Sequence, residues 1–164
     1  MNVADYNAYV EKYLDMVYHI SFHYFGNKED AEDVSQDVFI KLYQCKKQME
    51  DEEVKAWLIR VTTNTCHNYF RNPFRRRKAL LDEKEWENIV GNGLSEQDII
   101  NNKVIMDAIE SLPKHYRIVV YLYYYEEYST GQISKILKVK ETTIQTRLSR
   151  AREKLKVVLE DYFC

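Results

Sequence analysis

Hydrophobic residues recur every three or four positions through the first 45 residues, which is the spacing that places them on one face of a helix. The first such segment spans residues 5–25 and is followed by the helix-breaking pair Gly26-Asn27. A second helix is expected from about Lys28 to Gln48. Its predicted apolar stripe consists of Ala31, Val34, Val38, Ile40, Leu42 and Tyr43. Because its other face is acidic, the pattern predicts two amphipathic helices with one carboxylate-rich surface.

A third amphipathic segment follows the polar residues 45–53, which are expected to form a loop. The predicted inward stripe of this helix consists of Val54, Trp57, Leu58, Val61 and Thr65. The opposite face, towards solvent or a ligand, is expected to carry Thr63, His67 and Phe70. Asn72 precedes a proline, which disfavours helical backbone geometry, so the helix is expected to end there.

The composition changes over residues 82–98, which contain six acidic residues and one lysine. Gly91-Asn92-Gly93 interrupts the helical spacing of hydrophobic residues there. These features are typical of a flexible linker. Helical spacing resumes near Asn101, and the tyrosine-rich residues 121–128 are expected to be helical because no partner strand is visible nearby. The predicted fold is therefore all-α, with a helical domain over residues 1–80, a linker over 81–100 and a second helical domain over 101–164.

The C-terminal segment has the pattern of a helix–turn–helix. Ser129 is a good N-cap for a short helix, and Lys138-Val139-Lys140 spans the turn. A longer helix is expected from Glu141 to about Glu160. Its inward stripe consists of Ile144, Leu148, Ala151 and Leu155, and its opposite face carries Thr142, Thr146, Ser149 and Arg150. Seven cations and two acids lie between Lys138 and Lys156, so this helix is strongly basic.

That arrangement is what a DNA-recognition helix requires, because its first turns enter the major groove. Arg150 has the chemistry to bind guanine and Gln145 to bind adenine, while Thr143 or Thr146 suits a thymine methyl group. Phosphate contacts are expected from Arg147, Arg152 and Lys154. A basic amphipathic helix within an ordinary bundle is the alternative. The short first helix, the three-residue turn and the polar first turn favour DNA binding.

Another basic segment lies between Lys55 and Lys78, which contains seven cations and no acid. It also carries the aromatic residues Trp57, Tyr69, Phe70 and Phe74. Cations with interleaved aromatics suit single-stranded nucleic acid, because phosphates require charge and unstacked bases require flat partners. The alternative is an ordinary core helix with a solvated basic tail.

Composition limits the remaining classes of function. The 164 residues carry a net charge of −2, so DNA binding requires segregated charge. No apolar run is long enough to cross a bilayer and no signal-peptide pattern is visible, so we expect a cytoplasmic protein without direct membrane insertion. The three cysteines are widely spaced and no further ligand accompanies His19 and His23, so neither a metal nor a cofactor is expected. No catalytic motif appears, so we expect no enzyme.

Two separated motifs resemble one protein family. The family is that of the bacterial sigma factors of the extracytoplasmic-function type, which form group 4 of the sigma-70 family. Their region 2 resembles DAEDVSQDVFIKLYQ followed by KAWLIRVTTNTCHNYFR. Their region 4 resembles SLPKHYRIVVYLYYYEEYSTGQISKILKVKETTIQTRLSRAREKLKVVLE. The resemblance covers nearly the whole chain and implies two small helical domains, a region 2 bundle and a region 4 helix–turn–helix, joined by a flexible linker. It also implies a protein that binds core RNA polymerase and directs it to promoters.

By this resemblance, region 2 binds the β′ clamp helices and captures the −10 element, and region 4 binds the β flap and reads the −35 element. The implied polymerase-binding residues are Asp30, Asp33, Gln36 and Asp37. The implied −10 contacts are Arg60, Thr63, Asn64, His67, Asn68, Arg71, Arg75, Arg76 and Arg77. The implied −35 contacts are Thr142, Thr143, Gln145, Thr146, Arg147, Ser149 and Arg150.

The resemblance further implies a pocket for a flipped −10 base in the loop of residues 44–53, and an anti-sigma factor as a regulatory partner. Tyr43 departs from the family pattern, in which tryptophan is frequent, and Lys138 stands where glycine is common. The residues alone leave a competing hypothesis, a stand-alone helix–turn–helix regulator of transcription. Such a regulator would need only the second domain.

Overall fold

The computed structural model describes residues 1–70 and 96–163, and the chain divides into two compact units, Met1–Glu83 and Lys84–Cys164. In the first unit the helices are α1 (Val3–Phe25), α2 (Lys28–Gln44) and α3 (Asp51–Phe70). In the second they are α4 (Glu96–Glu110), α5 (Lys114–Tyr124), α6 (Thr130–Leu137) and α7 (Glu141–Phe163). Every regular element of the described residues is a helix, which confirms the all-α prediction.

The turn between α1 and α2 is built by the two residues that the sequence marks as helix breakers. Gly26 ends α1 in the left-handed conformation, at a φ of 70°, and its N–H donates to the carbonyl of Phe22 at 2.7 Å. Glycine adopts this conformation without the steric strain of a side chain. Asn27 caps α2, since its Oδ1 accepts from the N–H of Asp30 and its Nδ2 donates to the Asp30 carboxylate, both at 2.9 Å. The two helices therefore form a closed hairpin.

The core of the first unit lies where its three helices meet. Its fully buried apolar side chains include Val17, Ile20, Val34, Val38, Leu42, Val54, Leu58 and Ile59. One part of the predicted α2 stripe is wrong, because Ile40 and Tyr43 are 53% and 59% exposed while Phe39 is buried. Residues 31, 34, 38 and 42 share one face at helical spacing, whereas residues 40 and 43 share the opposite face with residues 33 and 36.

Helix α3 is buried over a wider arc than one apolar stripe predicts, because both α1 and α2 pack against it. Thr62, Thr63 and Thr65 are buried, and each hydroxyl donates to the carbonyl four residues earlier, at 2.6, 2.8 and 2.7 Å. These bonds satisfy the hydroxyl groups inside the core. The prediction that Thr63 faces outward is therefore wrong, since its side chain is only 6% exposed. Trp57 and Val61, predicted to face inward, are half-buried.

In the second unit, α4, α5 and α6 pack against neighbouring helices around α7. The buried apolar residues include Val104, Ala108, Leu112, Ile118, Val119, Leu122, Ile133, Ile144, Leu148 and Ala151. Arg117 closes the end of α4, because its Nε donates to the carbonyl of Leu112 at 2.8 Å and its Nη2 donates to the carbonyl of Glu110. A side chain thereby satisfies carbonyls that a helix end leaves without partners. The tyrosine-rich segment is helical as far as Tyr124, which confirms the prediction for residues 121–124, whereas residues 125–128 lie outside the helix.

Helix α4 begins at Glu96, so residues 96–100, which the sequence assigns to the linker, are helical. The remainder of the predicted linker, residues 81–95, lies outside the described residues, as does the basic segment 71–78. Within residues 1–70 and 96–163, none of the helices combines the length and the hydrophobicity that a membrane crossing requires.

Candidate nucleic-acid and protein interfaces

The predicted helix–turn–helix is present as α6, a three-residue turn and α7. Ser129 and Gln132 form a capping box, in which the Ser129 hydroxyl accepts from the Gln132 N–H at 3.1 Å and the Gln132 side chain accepts from the Ser129 N–H at 2.9 Å. Lys138 ends α6 in the left-handed conformation, at a φ of 55°. The Ser134 hydroxyl then donates to the carbonyl of Val139 at 2.5 Å. Local hydrogen bonds thus fix both ends of the short helix.

Helix α7 presents one polar face to solvent. Its exposed residues in the first three turns include Thr142, Gln145, Thr146, Ser149 and Arg150. Ile144, Leu148 and Ala151 are buried on the other side, which confirms the predicted orientation of the helix. Thr143 and Arg147 are half-buried at the edges of the polar face. The exposed hydroxyl, amide and guanidinium groups are those that recognise base edges in the major groove.

A basic edge borders this face where α5 begins. The pKa of His115 is lowered by its partial burial and by the positive charges of Arg147 and Lys114. The charge of Arg147 on α7 therefore acts on His115 of α5, although the two residues come from different helices. A lowered pKa leaves the imidazole of His115 neutral at neutral pH. The positive charge of this edge therefore comes from Arg147 and Lys114.

The other lateral cations of α7 contact tyrosines. Nε of Arg152 donates to the hydroxyl of Tyr124 at 2.8 Å, and the guanidinium lies 5.1 Å from the ring centre of Tyr123 and 5.7 Å from that of Tyr124. The hydrogen bond to Tyr124 raises the pKa of Arg152. Nζ of Lys154 lies 5.7 Å from the ring centre of Tyr116. Tyrosines of α5 therefore hold two of the three cations that the sequence predicts to bind phosphates.

The acidic surface of α2 is smaller than the sequence predicts. Asp33 and Gln36 are exposed, whereas Asp37 is half-buried and its carboxylate lies 3.2 Å from Nζ of Lys41. Asp30 is only 3% exposed, because its carboxylate accepts from Nδ2 of the cap residue Asn27. Asp30 therefore does not belong to the outer surface, and its assignment as a partner-binding residue is corrected to a role in capping.

An apolar stripe continues the acidic surface along α2. Asp33, Gln36, Ile40 and Tyr43 follow one another at intervals of three, four and three residues, so they lie on one face. The ring of Tyr43 packs edge-on against Tyr6 of α1, with the ring centres 5.1 Å apart. Sequence reasoning missed Ile40 and Tyr43 because it placed both on the inward stripe of α2 and left out Phe39, which is buried. Their spacing from Asp33 and Gln36 was the signal for an exposed position.

The outer face of α3 carries four of the predicted −10 residues. Asn64 and Asn68 are exposed, and Arg60 and His67 are half-buried beside them. The ring of His67 is held by Tyr24, whose hydroxyl lies 3.2 Å from Nε2. Spacing of three or four residues brings these polar groups onto one side of the helix.

Other predicted −10 residues do not join this set. Thr63 is buried and its hydroxyl bonds to the backbone of its own helix, so the structure separates it from the outer face. Four arginines lie outside the described residues: Arg71, Arg75, Arg76 and Arg77. The side chain of Phe70 also lies outside them.

A cavity of about 590 Å³ opens beside the segment that joins α2 to α3. It is lined by Met1, Asn2, Asp5, Tyr9, Lys47, Gln48, Met49, Glu50 and Glu53. The carboxylate of Glu53 accepts from the N–H of Glu50 at 2.9 Å, which supports the wall of the cavity. Its volume falls within the range of small-molecule sites. One aromatic ring and several carboxylates give it a surface suited to a flat group that carries N–H donors.

Groups of three or more potential metal ligands do not occur among the described residues. Nδ1 of His19 lies 2.6 Å from the carbonyl of Asp15, within its own helix. Cys66 is buried, and burial raises the pKa of its thiol. A raised thiol pKa disfavours the thiolate, the form that reacts and binds metals.

Two family models match the chain, Sigma-70 region 2 over residues 9–77 and Sigma-70 region 4 over residues 102–155. The ECF RNA polymerase sigma factor SigW of Bacillus subtilis is 28% identical over 165 residues, which cover 93% of this chain and 87% of the relative. The ECF RNA polymerase sigma-E factor of Escherichia coli K12 is 30% identical over 137 residues, which cover 76% of this chain and 71% of the relative.

A solved structure has a similar fold. It is the sigma factor RpoE from Bartonella quintana, crystallised in complex with the anti-sigma factor NepR. The TM-score is 0.68 at 22% identity, and the match covers 96% of this chain and 98% of the other. The region 2 match covers most of the helices α1 to α3, and the region 4 match covers most of α4 to α7. This chain therefore belongs to the extracytoplasmic-function sigma factors of the sigma-70 family.

Proposed function

We propose that this chain is a promoter-recognition subunit of RNA polymerase, which binds the core enzyme in the cytoplasm and directs it to promoters. The observation that carries the proposal is the exposed face of α7, in a unit that matches Sigma-70 region 4. Sequence-specific binding requires hydrogen-bonding side chains that are free of the core, and this face supplies them. The chain would contribute binding and no catalytic step.

In this proposal α7 reads the −35 element. Arg150 contacts a guanine through two parallel hydrogen bonds, and Gln145 contacts an adenine in the same manner. Thr142, Thr146 and Ser149 complete the base-facing surface. Arg147 and Thr143, which are half-buried at the edge of the face, are better placed for the DNA backbone than for the base edges.

Helix α2 is proposed to bind the β′ clamp helices of the polymerase. Asp33 and Gln36 supply a polar end and Ile40 and Tyr43 an apolar end of one exposed stripe. Helical spacing along this stripe fits a partner helix that lies alongside α2. Exposed apolar side chains next to acids suit a partner whose own helix combines apolar and basic residues. Asp37 contributes charge at the edge of the stripe through its pair with Lys41.

The outer face of α3 is proposed to bind the melted −10 strand. Arg60 supplies positive charge, and Asn64, His67 and Asn68 supply hydrogen-bonding groups that contact unstacked bases and sugars. The basic residues Arg71 and Arg75 to Arg77 continue the same segment of the sequence and are proposed to bind phosphates. Thr63 is excluded from this role because its side chain lies in the core.

The cavity beside residues 45–50 is the proposed site for a flipped −10 base. Tyr9 offers a ring for stacking, and the carboxylates of Asp5 and Glu53 offer hydrogen-bond acceptors. Stacking on an aromatic ring offsets the few kcal/mol that unstacking a base costs. Carboxylates accept hydrogen bonds from exocyclic amino groups, so this cavity favours a base that carries one.

An anti-sigma factor and the β flap are the remaining proposed partners. The related sigma factor from Bartonella quintana was crystallised with an anti-sigma factor, and the fold is shared. The exposed apolar residues Ile40 and Tyr43 of α2 would need covering whenever the polymerase is absent. A regulatory protein that covers this stripe would prevent polymerase binding directly.

A stand-alone helix–turn–helix regulator is not favoured. Such a protein needs only the second unit, and it leaves the exposed stripe of α2 and the polar face of α3 without a role. The match to Sigma-70 region 2 over residues 9–77 supports a function in which both units take part.

Run-off transcription tests the proposal. The full chain is added to core RNA polymerase on a library of randomised promoter sequences, and the transcripts are sequenced. We expect initiation from a narrow set of start sites that depends on the added chain. Unchanged start sites would contradict the proposal, and tight operator binding by the free chain without polymerase would favour the stand-alone regulator.

A further inference from the structure

The tyrosine-rich segment that ends α5 has no role in base reading or in polymerase docking as described above. Its residue Tyr124 is 52% exposed and accepts a hydrogen bond from Nε of Arg152 at 2.8 Å. Tyr123 and Tyr124 meet edge to face at 5.0 Å, and the guanidinium of Arg152 lies over both rings. The result is a group of one exposed ring, one half-buried ring and one fixed cation where α5 contacts α7.

The position of Arg152 on α7 places this group at the edge of the DNA-reading face. Gln145, Ser149 and Arg152 follow one another at intervals of four and three residues, so they share one stripe of the helix. Arg152 lies seven residues beyond Gln145, which is about 10 Å along the axis at ~1.5 Å per residue. The major groove is about 12 Å wide, so a side chain at this distance from a base reader reaches the phosphates at the groove edge.

The hydrogen bond between the two side chains orients their remaining donors. Arg152 donates its Nε–H to the Tyr124 oxygen, so the phenolic hydrogen of Tyr124 must point away from the guanidinium. The terminal nitrogens of Arg152 carry further N–H donors. A phenolic O–H and a guanidinium N–H therefore lie side by side, and the two rings restrict the motion of the arginine before any ligand binds.

We infer that Tyr124 and Arg152 together bind one backbone phosphate at the edge of the −35 element, with the phenol and the guanidinium donating to its two free oxygens. This inference rests on the proposed function of α7. It adds Tyr124, a residue outside the recognition helix, to the DNA-binding surface. The competing explanation is that the pair only holds α7 against α5.

The Tyr124→Phe variant separates the two explanations, because it removes the phenolic O–H and keeps the ring beneath Arg152. The full chain is assembled with core RNA polymerase, and binding is measured on a promoter selected from the library by the wild-type chain. A set of otherwise identical promoters carries one neutral methylphosphonate at each phosphate around the −35 element. We expect Tyr124→Phe to bind the unmodified promoter about tenfold more weakly, the size of one hydrogen bond to a charged group.

Coupling to a single phosphate is the decisive result. Neutralising the bound phosphate should weaken wild-type binding by about tenfold, and it should have a smaller effect on Tyr124→Phe, because that variant has already lost one of the two donors to this phosphate. Arg152→Lys, which keeps the charge but not the fork of donors, should show the same coupling at the same phosphate. Tyr125→Phe is the matched control, since its ring stacks on Tyr121 at 5.5 Å, and it should bind within about twofold of wild type.

Equal promoter binding by Tyr124→Phe and wild type would overturn the inference and leave the pair with a purely structural role. The same conclusion would follow if Tyr124→Phe weakened binding by the same factor whichever phosphate is neutralised. Equal melting temperatures of the free variants would exclude misfolding as a cause of lost binding. A wild-type chain that selects no promoter with core polymerase would overturn the proposed function itself, and the inference with it.

Discussion

Nζ of Lys12 on α1 lies 2.5 Å from the carboxylate of Asp51, the first residue of α3. The hydroxyl of Tyr13 donates to the other carboxylate oxygen at 2.9 Å. These two donors stabilise the ionised carboxylate, so they hold the pKa of Asp51 below its usual range, with Lys12 as the larger cause. Two adjacent side chains of α1 thereby hold the start of α3, which is distant in sequence, against α1 and next to the segment that lines the cavity.

Lowering the pH should therefore reduce the stability of the first unit, because Asp51 becomes protonated. A carboxylate whose pKa is lower in the folded state adds stability above its unfolded pKa and loses it as the pH falls through the folded value. The wild-type chain should lose denaturant resistance between about pH 5 and pH 2, and Asp51→Asn should lose less over this range. Urea unfolding at a series of pH values measures the difference. Glu52→Gln, in the same helical turn, is the control, and an equal effect from both variants would contradict the assignment.

Thr63→Val should leave promoter opening unchanged. The Thr63 hydroxyl donates to the carbonyl of Ile59 inside the core, so valine removes one internal bond and keeps the shape of the side chain. We expect the free energy of unfolding to change by no more than about 1 kcal/mol. Asn64→Ala is the comparison, because Asn64 is exposed on the next position of α3. Permanganate footprinting of the melted −10 strand should report a loss for Asn64→Ala only.

Ile40→Ser should weaken polymerase binding without destabilising the chain. Ile40 is 53% exposed, so its replacement removes little buried area on folding, but it removes an apolar anchor from the proposed docking stripe. Binding to core polymerase, measured by fluorescence titration, should fall by about tenfold or more. Leu14→Ser is the matched control because Leu14 is also an exposed aliphatic residue, at 43%, but lies on α1. Equal losses from both variants would show that the stripe of α2 has no special part in docking.

Arg150→Ala should reduce −35 recognition in a base-specific manner. A bidentate contact to guanine is worth roughly 1–3 kcal/mol, so the variant should lose about tenfold or more in promoter binding. Selection from a randomised −35 library should show relaxed preference at one guanine position. Lys156→Ala, an exposed cation nearer the end of α7 that pairs with Glu160 at 3.9 Å, should keep the wild-type preference. A uniform loss over all sequences would instead assign Arg150 to a phosphate.

Lys138→Gly should stabilise the second unit. Lys138 holds the left-handed conformation that closes α6, and this conformation strains a side-chain-bearing residue by about 1–2 kcal/mol. Glycine removes the strain but loses part of the gain to a more flexible unfolded chain, so we expect a net gain of about 0.5–1 kcal/mol. Calorimetric melting measures it. The same change at Lys140, which lies at the end of the turn without a positive φ, should destabilise the unit.

Helical periodicity was sufficient to predict the all-α fold, because a buried face repeats every three or four residues whatever it packs against. The break at Gly26-Asn27, the Ser129 cap and the outward face of α7 were predicted for the same local reason. The prediction of which side chains are buried failed where one helix packs against two others. Thr63 is polar and still buried, because both α1 and α2 pack against α3 and its hydroxyl bonds to the backbone of its own helix.

By itself, the order of residues determined which segments are helical and where basic and acidic groups concentrate, since these depend on neighbours within a few positions. Tertiary packing decided what each helix exposes. It left Ile40 and Tyr43 in solvent and joined Arg152 to Tyr124 across 28 positions of sequence. Hydrophobic periodicity cannot predict this exposure or these contacts, because burial and hydrogen bonding between helices depend on which helices pack against each other in the fold.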